Sequence, residues 1–82
     1  MDSQAPLPKY DYYKGPQKLP DLWTRARATL TMRCAISTHA HGWELKLTAG
    51  SGFSRTQICR TQSEVFALAD TWAQEASAKG WN

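Results

Sequence analysis

His39 and His41 flank a single alanine, and at that spacing an extended chain points both imidazoles to one side. Two such rings are half of a zinc site. A third and usually a fourth ligand would be needed, and neither Cys34 nor Cys59 sits in a paired-ligand motif that would supply them. The "THAHG" stretch therefore reads as a turn, and no metal or other cofactor is expected. Acid–base or nucleophilic work has no better foundation. Glu44 falls in an alternating stretch, Glu64 in a helix-start signal and Glu75 on a polar helix side, so the three glutamates are not brought together. "GSG" at 50–52 precedes a strand and not a helix, and it lacks the lysine and hydroxyl of a phosphate loop. The chain is expected to be a binding module and not an enzyme.

The residues best suited to binding are cations. In "RARATLTMR", residues 25 to 33, Arg25, Arg27, Thr29, Thr31 and Arg33 share one parity while Ala26, Ala28, Leu30 and Met32 share the other. Guanidinium groups on one strand face recur about every 6.5 to 7 Å, a spacing that suits successive phosphates or a row of carboxylates. With Lys46 and Arg55 alongside, they make a candidate basic sheet face for a protein partner or, as the alternative, a nucleic acid. Single-strand binders interleave aromatic platforms with such cations, and between Arg25 and Arg33 no aromatic shares this parity. The nearest supply is the N-terminal segment, where Tyr10, Tyr12 and Tyr13 stand beside Lys9 and Lys14. Those tyrosines are candidates for partner contact, or for packing over an open edge of the chain's own core.

Charge distribution points the same way. The 82 residues carry a formal net charge of +3, but residues 22 to 60 hold all five arginines and Lys46 against Glu44 alone. Such asymmetry favours attraction to polyanions without saying anything about fold. The N-terminus has no basic start followed by an apolar run, and no stretch approaches the roughly 20 apolar residues of a membrane span. The expectation is a cytoplasmic chain with both thiols reduced.

The elements that position these residues follow from period and punctuation. All four prolines lie at positions 6, 8, 16 and 20, so residues 1 to 21 are expected to form an extended, Pro- and Tyr-rich arm, with one domain over 22 to 82. From Leu22 to about Ser37 the alternation is unbroken and predicts a single first strand, longer than usual, whose overhang could pair with a second copy. "WELKLTA" alternates cleanly and predicts the second strand; "FSRTQICR" predicts a third, with mixed parity because Ile58 opposes Phe53 and Cys59. Thr61 and Glu64 form a capping-box signature, after which Val65, Leu68, Ala69, Trp72, Ala73 and Ala76 make a helical apolar stripe ending at Gly80 and Trp81. The sum is an α+β domain, a three-stranded antiparallel sheet (β-β-β-α) with one C-terminal helix on one face. A core this small suggests a homodimer, formed through the long first strand or the open sheet face.

Overall fold

The computed structural model describes Leu7 and residues 15 to 82. Four strands and a helix follow one another: β1 (Lys18–Arg27), β2 (Leu30–His39), β3 (Gly42–Ala49), β4 (Phe53–Cys59) and α1 (Gln62–Ala78). The strands form one antiparallel sheet in the order β1-β2-β3-β4, with α1 packed on one face. The class is α+β as expected, with four strands in place of three.

The extra strand comes from a reversal inside "RARATLTMR". Arg27 pairs with Leu30, so only Ala28 and Thr29 form the loop, and Ala28 takes a left-handed φ of 53°. Hairpin loops of two residues usually mark that conformation with glycine or asparagine. Here an alanine adopts it, and the alternation runs through the turn without interruption. The expected long strand and its overhang are thereby replaced by a hairpin. The reversal also exchanges faces: Arg25 lies opposite Met32 and Arg27 opposite Leu30, on the helix side, whereas Arg33 lies opposite Thr24 on the other.

At its start β1 is irregular. Leu19 pairs with Ile36 and Trp23 with Cys34, so three residues on β1 face one on β2, a bulge that accommodates Pro20. Lys18 to Asp21 of this strand fall within the segment assigned to the arm. Just before it, the Gln17 amide donates to Thr38 Oγ1 at 2.8 Å and the Thr38 amide to the Gln17 carbonyl at 2.8 Å, so Thr38 is satisfied although buried. Leu7 packs against the core and its amide donates to Gln62 Oε1 at 2.8 Å. Tyr10, Tyr12 and Tyr13 lie outside the described residues.

The helix ends obey the sequence signals. The Glu64 amide donates to Thr61 Oγ1 at 3.1 Å while Glu64 Oε1 accepts from the amides of Arg60 (2.7 Å) and Thr61 (3.4 Å), completing the capping box. At the other end Gly80 has φ 92°, the Gly80 amide donates to Ser77 and the Trp81 amide to Ala76, each at 3.0 Å. That is a Schellman closure, and it tucks Trp81 into the core. One residue further on, Asn82 and Ala26 exchange both backbone hydrogen bonds at 2.8 Å, so the chain end is clipped to the outer side of β1.

Met32, Cys34 and Ile36 of β2 and Trp43, Leu45 and Leu47 of β3 floor the core; Val65, Ala69, Trp72, Ala73 and Ala76 of α1 roof it. Trp23 of β1 closes one flank, its indole donating to the Ala69 carbonyl at 2.9 Å. Cys34 and Cys59 are free and buried. With β3 between their strands, their backbones are kept about 10 Å apart by strand spacing alone, beyond the reach of a disulfide. Burial, with smaller contributions from the Asp21 carboxylate and Cys59, pushes the Cys34 thiol from its ordinary 9.0 up to about 11. The folded state therefore holds this proton more tightly than the unfolded one. Its contribution is fully present below pH 9 and is lost as pH climbs through about 11, about 2 to 3 kcal/mol in all. Urea unfolding at stepped alkaline pH should show that decline, and Cys34→Ala should flatten it; an equal slope in both chains contradicts the assignment.

Candidate interaction surface

The sheet's two faces have different coverings. The face away from α1 presents Thr24, Thr31, Arg33, Glu44, Lys46, Thr48, Ser54, Thr56 and Ile58, a set fixed by strand register. Of the expected basic row only Arg33 and Lys46 lie here. Arg33 Nη1 is 3.2 Å from Asp21 Oδ2, and Lys18 Nζ lies 3.7 Å from Asp21 Oδ1, so a carboxylate already sits among the cations. Glu44 stands two residues from Lys46, next to it along the same face of β3. A dent of about 190 Å³ lies on this face between Lys18, Ser37, Glu44 and Lys46.

The remaining cations of the row are on the helix side. Arg25 lies with its guanidinium 5.6 Å from the Trp23 ring, and Arg27 is at the hairpin end beside Leu30. Arg55 faces Leu47 across the β3–β4 pair, its guanidinium 5.0 Å from the Trp72 ring and its Nη1 3.2 Å from Glu75 Oε1. Its role is to bridge β4 to the helix. Arg25, Arg27 and Arg55 thus do not join Arg33 and Lys46 on one surface, because the hairpin at Ala28 reverses the faces of β1 and because Arg55 shares the parity of Cys59.

The histidines are close, and the His39 ring is already engaged by the backbone of His41. Their ring centroids are 5.6 Å apart, and the His41 amide donates to His39 Nδ1 at 3.1 Å, which fixes the turn at Ala40–His41. Among the described residues no group of three or more His, Cys, Asp or Glu side chains comes together. No helix there is long and apolar enough to cross a membrane.

The two sheet edges contrast. An open edge presents unpaired peptide groups that another strand can use, and natural sheets blunt such edges with proline, bulges, charge or a covering segment. β1 carries Pro20, a bulge and the Asn82 clip. β4 carries none of these among the described residues. Its sequence, FSRTQIC, has one charged residue, no proline and no lysine. The Cys59 carbonyl points at β3, where it lies against Gly42. Because peptide groups alternate along an antiparallel strand, Phe53, Arg55 and Gln57 also turn theirs to β3, and Ser54, Thr56 and Ile58 turn theirs outward.

Two exposed apolar side chains belong to this same strand, Phe53 (45% exposed) and Ile58 (38%). Beside Ile58, at the far end of the strand from Phe53, a groove of about 510 Å³ runs between β4 and α1, lined by Cys59, Arg60, Glu64, Ala67, Leu68 and Thr71 among others. Burial, reinforced by Glu64, raises the Cys59 thiol on its floor, so that group stays protonated at neutral pH. The sequence pointed to the cations and passed over this edge. Its one trace there was the mixed parity of "FSRTQICR", which left Ile58 without a place in the core. No protein-family model, curated protein or solved structure matches this chain.

Proposed function

We propose that the domain is a small protein-interaction module that engages its partner by strand addition along the outer edge of β4. The observation that carries this reading is the asymmetry of the edges: β1 has a proline, a bulge and the Asn82 clip, and β4, seven residues long, has none of these among the described residues, its one charge, Arg55, being paired with Glu75. In strand addition, main-chain hydrogen bonds supply affinity and alternate side chains supply selectivity. Ser54, Thr56 and Ile58 offer the outward donors and acceptors; Phe53 and the groove above β4 offer apolar contact. The alternative of nucleic-acid binding has weaker support, because Arg33 and Lys46 share the open face with Asp21 and Glu44 while Arg25, Arg27 and Arg55 lie on the other side.

Thr56→Pro tests the reading. Its amide points outward, and proline is tolerated on the solvent side of an edge strand, so the substitution removes a docking donor and leaves the β3 ladder intact. The probe is a synthetic peptide of residues 52 to 60 carrying Cys59→Ser. Adding it should slow amide exchange at Ser54, Thr56 and Ile58 in the unaltered chain and leave Ser54 and Ile58 unchanged in Thr56→Pro. Absence of protection at saturating peptide, or equal protection in both chains, overturns the proposal.

A further inference from the structure

We infer that the strand added to β4 is the β4 of a second copy, antiparallel and centred on Thr56, giving a continuous eight-stranded sheet across a two-fold axis. The inference rests on the strand-addition reading and names its partner. Four features of the strand support it.

First, Thr56 is the midpoint of Phe53–Cys59, so this centre is the one that overlaps all seven residues. Second, Thr56 directs its peptide groups outward, as do Ser54 and Ile58, which would pair with each other. The seam therefore begins and ends on donors and acceptors that are free to meet. Third, charge fits: the single cation Arg55 falls opposite the partner's Gln57. Shifting the centre to residue 55 would set arginine against arginine, an unfavourable like-charge cross-strand pair.

The fourth feature is shape. Opposite residues of an antiparallel pair share a face, so the partner's Phe53 lies level with Cys59, on the side that carries the helix. The groove between β4 and α1 opens there, with Ala67, Leu68 and Thr71 as its far wall. An exposed phenyl ring on each copy meets, on the other, a groove whose apolar side chains are Ile58, Cys59, Ala67 and Leu68, with Gln57, Arg60, Glu64 and Thr71 also lining it. The two-fold makes the exchange reciprocal, as an isologous interface requires.

Sedimentation equilibrium up to about 1 mM protein, with two variants, tests the pairing. The unaltered chain should reach a monomer–dimer equilibrium in that range, and Phe53→Ser should weaken the dimer about tenfold or more. Phe53 is 45% exposed, so Phe53→Ser should lower the urea midpoint only in part, and a cooperative unfolding transition of the variant monomer separates lost association from lost folding. Register is read by oxidative cross-linking. Thr56→Cys should give a covalent dimer because the two copies of residue 56 face each other about 5.5 Å apart. Ser54→Cys should not, its two copies being offset by about 13 Å. A chain that stays monomeric throughout, or equal cross-linking by both cysteines, overturns the pairing. If the β4 peptide still protects Ser54, Thr56 and Ile58 in a monomeric chain, strand addition stands with a different partner; loss of both removes both claims.

Discussion

Gly42→Ala is expected to lower the melting temperature by on the order of 15 °C or more, the largest effect of any single added methyl in this domain. A Cβ at residue 42 would sit 2.2 Å from the Cys59 carbonyl oxygen and 3.0 Å from Arg60 Cα, both backbone atoms that cannot swing aside. The residue also holds φ 136°, a conformation that side chains rarely adopt. Strain of this kind costs about 1 to 3 kcal/mol before the clash is counted, and relieving the clash would push β4 off β3 where the helix begins. Gly52→Ala is the control: nothing lies within 4 Å of a Cβ there, so its melting temperature should stay within about a degree or two. Equal melting of the two variants would contradict the placement of Cys59 against the β2–β3 turn.

Trp72→Ala comes next, with an expected loss of about 3 to 5 kcal/mol in urea unfolding. The side chain is 1% exposed at the centre of the helix stripe, with the Arg55 guanidinium over its ring. Removing it leaves a cavity between helix and sheet and takes away the surface on which Arg55 rests. Trp72→Phe should cost much less, about 1 to 2 kcal/mol. Among the described residues the buried indole N–H has no hydrogen-bond partner, so its removal relieves a desolvated donor and breaks no bond. If phenylalanine proved as costly as alanine, the N–H would have to be bonded in solution.

The helix was legible in the sequence almost to the residue, because each of its signals is local. Thr61 and Glu64 cap it, and Gly80 and Trp81 close it, through contacts spanning only a few positions. β3 was legible for a similar reason, since one clean alternation needs no knowledge of its neighbours. The β1–β2 hairpin was not. Its turn rests on Ala28 in a left-handed conformation, a choice stabilised by the pairing of the flanking strands and unmarked by any turn-forming residue. One hidden turn then misplaced Arg25 and Arg27, because a face assignment inherits every reversal before it. Arg55 was misplaced for another reason: in a strand of mixed parity the cation on the helix side is stabilised by Glu75 and Trp72, twenty and seventeen residues further along the chain. The free edge of β4 is less visible still, since strand order and the Asn82 clip on β1 exist only in three dimensions.

The central claim is that β4 pairs outward with the β4 of a second copy, and native-state hydrogen exchange at low and high protein concentration addresses it most directly. The alternation of peptide groups divides the strand into two sets. Gln57 and Cys59, whose amides face β3, should exchange slowly at every concentration, whereas Ser54, Thr56 and Ile58 should exchange quickly when dilute and slow markedly when concentrated. Exchange at Ser54, Thr56 and Ile58 that is fast at all concentrations would contradict the account.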